Sequence, residues 1–154
     1  MAAPNGNYFS VCFETFLNTP TATLVGVYNQ AGITVALHEF SLITSENNIR
    51  DLGDCGISLN RGVGGSVVGA ITALPLKAGT GDVPVQSAGF FSTSGTTWTI
   101  LITFPVNIRK GLRWQAKKGK EFKIHNLNDS FALRLQTGGG YGGKDAGVTM
   151  IFEE

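Results

Sequence analysis

Hydrophobic and polar residues alternate along much of this chain with a period of two. That is the spacing of a strand whose successive side chains point to opposite faces. The pattern is clearest in the last third, where Phe122 and Ile124 alternate with Lys123 and His125. Phe131, Leu133 and Leu135 alternate with Ala132 and Arg134; Val148, Met150 and Phe152 alternate with Thr149 and Ile151, ahead of Glu153-Glu154. Each run predicts a half-buried antiparallel strand, the last tying the terminal residues into a sheet. Upstream, Tyr8, Phe9, Val11, Phe13 and Phe16 mark a strand over 8–17, which Asn18-Thr19-Pro20 ends before a second over 21–28. Asn29-Gln30-Ala31-Gly32 turns the chain into a third strand over 33–44. Ile33, Val35 and Leu37 share one parity there, and Ala36, Phe40 and Leu42 the other. Leu37-His38-Glu39-Phe40 fits a helix on paper, but the β-branched entry after Gly32 favours a strand.

The middle of the chain is more broken. Residues 45–53 are polar and charged, a loop or one helical turn, and 57–60 is a short strand. Arg61-Gly62-Val63-Gly64-Gly65 predicts a turn or bulge, 67–76 one strand, and 77–82 a glycine-rich loop. Residues 83–85 straddle Pro84, which suits an edge or loop because proline cannot donate to a ladder. Strands over 87–92 and 97–106 would pair across Thr93-Ser94-Gly95-Thr96, and 112–116 is another short strand. This rhythm predicts an all-β, single-domain antiparallel β-sandwich, jelly-roll-like, with about eight to ten strands.

Composition sharpens the picture. The chain has 154 residues, enough for one domain with its own core. Charged residues make up 15%, against roughly 25% in ordinary soluble domains. A surface so poor in charge suits a protein that neighbours cover. The net charge of +1 gives no global pull toward nucleic acid or an anionic membrane. Met1 to Asn7 has neither a basic start nor an apolar run, so no signal peptide is expected, and no stretch is long and apolar enough for a membrane span. Cys12 and Cys55 read first as free, buried thiols, with a disulfide as the alternative because the sequence gives no distance between them, and no cysteine–histidine cluster suggests zinc.

Four features could carry chemistry. Seven of the twelve Lys and Arg fall between Arg109 and Lys123: Arg109, Lys110, Arg113, Lys117, Lys118, Lys120 and Lys123, opposed only by Glu121. With Trp114 among them they could meet phosphates, a polyanionic glycan or an acidic protein face. The plainest reading is a solvated hairpin whose lysines deter edge-to-edge pairing. A protein contact ranks second, and nucleic acid or glycan last. Gly138-Gly139-Gly140-Tyr141-Gly142-Gly143-Lys144 lacks the Ser or Thr and the following helix of a phosphate loop, so it predicts a hairpin tip with Tyr141 as a contact. His38 and His125 read as structural or surface residues; His38 precedes Glu39, but neighbours in a strand face opposite ways. No nucleophile or paired-carboxylate motif appears, so we expect no enzyme, no cofactor and no metal site. Trp98, Trp114 and the Phe90-Phe91 pair are ambiguous between core and contact.

The segments Ala36-Leu37-His38-Glu39-Phe40-Ser41-Leu42, Arg109 through Phe122, Asn128 through Leu135 and Gly147 through Glu154 together resemble small virion proteins of tailed bacteriophages. These are jelly-roll decoration (cement) or head-spike proteins, often trimeric in the manner of tumour-necrosis-factor-like jelly rolls. The resemblance covers most of 30–154 by style and spacing, leaving 1–29 as an N-terminal arm or added strands. It implies a non-enzymatic structural protein, made in the host cytoplasm and resident in the virion, that stabilises a capsid. Its partners would be two copies of itself and the major capsid protein or another virion protein, with Arg109, Lys110, Arg113, Trp114, Lys117, Lys118, Lys120 and Tyr141 as contact residues. Two alternatives remain on the same fold. One is a carbohydrate- or receptor-binding module with Trp98, Trp114 and Tyr141 as stacking platform; the other is a shell-forming capsid protein.

Overall fold

The computed structural model describes residues 7–17, 23–44, 54–65, 67–76, 87–91, 96–107, 111–136 and 144–154. Every regular element among them is a strand: β1 (Tyr8–Leu17), β2 (Thr23–Tyr28), β3 (Val35–Thr44), β4 (Asp54–Gly64), β5 (Val67–Ile71) and β6 (Leu74–Pro75). They are followed by β7 (Ser87–Phe91), β8 (Thr96–Asn107), β9 (Leu112–Gln115), β10 (Phe122–Ile124), β11 (Asp129–Leu135) and β12 (Lys144–Glu153). The protein is an all-β antiparallel sandwich. One sheet runs β10-β3-β12-β1-β6, with β9 also on β3; the other runs β5-β7-β2-β11-β4-β8.

The pairing is nested. β1 pairs with β12, β2 with β11, β3 with β9 and β10, and β4 with β8. The chain is therefore one long hairpin, rolled until β12 also meets β3 and β11 also meets β4. From β1 to β4, and again from β8 to β12, the chain changes sheet whenever it leaves one of these nested pairs. This is the jelly-roll connectivity. Residues 8–28 supply one strand to each sheet, β1 and β2, and both are paired on two sides. Asn7 and Glu154 exchange backbone hydrogen bonds of 3.4 and 3.1 Å where β1 and β12 meet.

Period two accounts for the core. Phe9 and Val11 of β1, Val35, Leu37, Phe40 and Leu42 of β3, and Val148, Met150 and Phe152 of β12 are buried from the first sheet. Val25 and Val27 of β2, Ile57 and Leu59 of β4, and Phe131, Leu133 and Leu135 of β11 meet them from the second. Burying an apolar side chain of this size is worth about 1.5–3 kcal/mol, so these rows hold the two layers together.

Several expectations fail for physical reasons. Arg61 to Gly64 is not a turn but the end of an eleven-residue β4, paired along its length with β8. Gly64 and Gly65 at its end have φ of +78° and +79°, which suits glycine. Residues 67–76 are not one strand: β5 pairs in the second sheet and β6 in the first. β7 and β8 do not form a hairpin with each other, because β7 lies between β5 and β2 while β8 flanks β4. β11 is not half-buried; all seven of its residues are buried. It sits inside its sheet, and its polar side chains are covered together with Ser58 and Asn60 of β4. Cys12 is a free thiol, as expected, but it is exposed rather than buried, close to Thr149 Oγ1 at 3.4 Å. The readings of 45–53, 77–85 and the glycine loop 137–143 lie outside the described residues, as do Arg109, Lys110 and Tyr141.

Candidate functional site

The outer face of the first sheet is dented at one point, and the cause is local. β3 pairs with β12 through Glu39↔Ile151 and then Leu37↔Phe152, so His38 has no opposite number. An extra residue of this kind is a β-bulge, which bends the strand and re-aims side chains. It also resets the phase: Val35 and Leu37 point into the core before it, Phe40 and Leu42 after it. His38 and Glu39, next to each other in sequence, both stay on the open side instead of facing opposite ways.

The other edge of β3 is interrupted at the same level. β9 pairs with Glu39 to Leu42, and β10 with Val35 to Leu37. Between them, residues 116–121 leave the sheet as a turn, anchored where Ala116 N–H donates to His38 C=O at 2.8 Å. Gly119, with φ +77°, and the Lys120 N–H to Lys117 C=O bond of 2.8 Å close this turn. Bulge and turn together wall a cleft of about 440 Å³, lined by Tyr8, Ala36, His38, Ala116, Lys118, Glu121, Lys123 and Glu153.

Tyr8 and Glu153 enter from β1 and β12 as a directly opposed pair. His38 Nε2 lies 2.7 Å from Glu153 Oε2, and the Tyr8 and His38 rings are 5.0 Å apart at 57°. Burial first, then the charge and hydrogen bonding of Glu153, push the Tyr8 phenol above its usual range, so it stays a proton donor. Its own backbone N–H and that of Gly119 hold the Glu121 carboxyl below its usual range; His38 and Lys123 add smaller contributions in the same direction. Gly119 N–H donates to Glu121 Oε1 at 2.8 Å. Both carboxylates are thus engaged inside the protein. Among the described residues, neither Lys118 nor Lys123 joins an ion pair. The formal charges of Lys118 and Lys123 balance those of Glu121 and Glu153, but the two ammonium groups are the donors in the cleft without an ion-pair partner among the described residues.

The described members of the basic cluster do not form one patch. Lys117, Lys118 and Lys120 are exposed together on the turn. Arg113 lies on the outer face but is bound to Glu39 by two hydrogen bonds, at 2.8 and 3.1 Å. Trp114 alternates to the opposite side. It stacks on Phe40 at 5.2 Å and meets Phe122 at 5.5 Å, closing the sandwich edge. Trp98 is elsewhere, on β8 of the second sheet with the Arg134 guanidinium 4.7 Å from its ring centre. The two tryptophans therefore do not share a platform. His125 Nδ1 is 3.0 Å from Thr34 Oγ1. No three metal-binding side chains converge among the described residues.

Sequence reasoning named Lys118 and Lys123 within the basic cluster but did not join them to Tyr8, His38, Glu121 and Glu153 as one site. The available signal was the spacing of Val35, Leu37, Phe40 and Leu42, whose step of three marks the bulge. No known protein family, curated protein or solved structure matches this chain.

Proposed function

We propose that this chain is a non-enzymatic virion protein that decorates and stabilises a bacteriophage capsid, assembling as a trimer and docking on the major capsid protein. The observation that carries the reading is an apolar ridge at one edge of the jelly roll. Leu74 and Leu76 are 64% and 53% exposed, and Tyr8 beside them 42%. Leu74 lies opposite Ser10, and Leu76 N–H donates to Tyr8 C=O at 2.9 Å, so the three share the outer side of the β6 edge. Apolar side chains gathered at an edge favour contact with another protein surface. Pro75 within β6 limits strand-to-strand addition there, which leaves side-chain packing as the mode of contact. The low charge content supports the same reading. Identical copies on a lattice would multiply weak contacts through effective concentration.

The test is the solution mass by light scattering during size exclusion, for the native chain and for Leu74→Glu/Leu76→Glu. A mass of three subunits that persists on dilution, lost in the double variant, supports the proposal. A native monomer overturns the trimer, and a native trimer unaffected by the double variant removes this edge from it.

A further inference from the structure

We propose that the cleft at the His38 bulge is a binding site for an acidic sugar, a pyranose ring bearing one carboxylate. The inference shares Tyr8 with the ridge of the assembly reading but otherwise rests on what the cleft offers and what it already uses. Lys118 and Lys123 line it without ion-pair partners among the described residues, while Glu153 is tied to His38 and Glu121 to the backbone of its turn. An anion is the group that completes such a donor set. The two carboxylates on the same walls repel a dianion, so a singly charged carboxylate fits better than phosphate.

The rest of the ligand follows from the other wall. The Tyr8 and His38 rings stand 5.0 Å apart and tilted by 57°, an angled pair against which the C–H face of a sugar ring can pack. The phenol proton is already directed at Glu153, so the Tyr8 oxygen and the lone pairs of Glu153 and Glu121 not already used accept from ring hydroxyls. A volume of about 440 Å³ suits a ligand of one or two rings. The site is built into the fold, because it exists only where the bulge in β3 and the gap between β9 and β10 coincide.

The experiment is calorimetric titration of the full chain with N-acetylneuraminic acid and with glucuronic acid, beside glucose and acetate. The expected result is saturable binding of an acidic sugar, at least about tenfold tighter than glucose or acetate. Raising the salt weakens it. The variant Lys118→Gln/Lys123→Gln loses about tenfold or more in affinity. Both lysines are exposed, so that variant keeps the circular dichroism of the native chain. Equal binding of glucose removes the role of the charge, and equal binding of acetate removes the ring. Native affinity in the double variant, or no saturable binding of either acid, overturns the site.

Discussion

The two sheets share one core but treat their outer faces in opposite ways. On the first sheet, charged side chains stand in the open: His38 with Glu153, Arg113 with Glu39, and the lysines of the 116–121 turn. On the second, Ser58 and Asn60 of β4 and the polar side chains of β11 are covered. Ser58, Asn60 and Ser130 are fully buried, and Arg134 nearly so. Some of them bond to each other: Asn60 Nδ2 donates to Ser58 Oγ at 2.6 Å, Gln136 Nε2 donates to the same oxygen at 2.5 Å, and Arg134 lies over Trp98, whereas Asn60 Oδ1 and Ser130 Oγ are buried with no hydrogen-bond partner among the described residues. A buried polar group costs stability unless it is bonded, so this face constrains the structure more than an open one does. The first face carries no such obligation and is free to hold a ligand.

The comparison breaks most visibly at Gly62. A methyl group there would enter the contact distance of Ser130 Oγ and come to 2.7 Å from the Trp98 ring. Ser130 is fully buried and the Trp98 ring lies under the Arg134 guanidinium, which limits how far either side chain can retreat. We expect Gly62→Ala to cost about 3 kcal/mol in urea unfolding, the upper end for overpacking. Retained stability would mean that the second face is looser than its burial implies.

These faces also mark how far the sequence is legible. The all-β class, the core rows of β12 and the strand identity of β3 follow from period two, because each needs only local alternation. The covered face of β11 does not. Ser130, Ala132 and Arg134 alternate with Phe131, Leu133 and Leu135 as in any strand with one wet side. Their burial depends on partners 58 to 62 and on Trp98, which no local pattern links to them. The cleft is half legible. The basic run around Lys118 stands out, but Tyr8 and Glu153 sit at opposite ends of the sequence and meet only because β1 pairs with β12. The hairpin expected between β7 and β8 fails for the same reason: a short link suggests pairing, and the nested topology overrides it.

Deleting His38 sharpens the comparison at the other face. Without it, Val35, Leu37, Phe40 and Leu42 fall into strict alternation, so the core rows survive with their phase intact. The losses are the Ala116 N–H to His38 C=O bond and the pairing with Glu153. The expected cost is about 1 kcal/mol with an unchanged denaturant slope. An unfolded product would mean that the bulge is required by the fold rather than tolerated by it.

The smallest effect is expected at Glu121, and it separates the faces by pH rather than by packing. Its folded carboxyl titrates below its usual value, chiefly because its own backbone N–H and that of Gly119 bond the charged form. A depressed carboxylate stabilises the fold at pH values above its unfolded pKa. That stability is lost as pH falls through the folded value, when the proton goes on in both states. Glu121→Gln should therefore lower the melting temperature slightly at neutral pH, with the difference closing as the two proteins are acidified. Because the group is on the open turn, salt should shrink the difference further. A gap that stays constant with pH would assign the effect to lost shape in the turn. A gap that closes would show that the charge orders the wall of the cleft carrying Lys118.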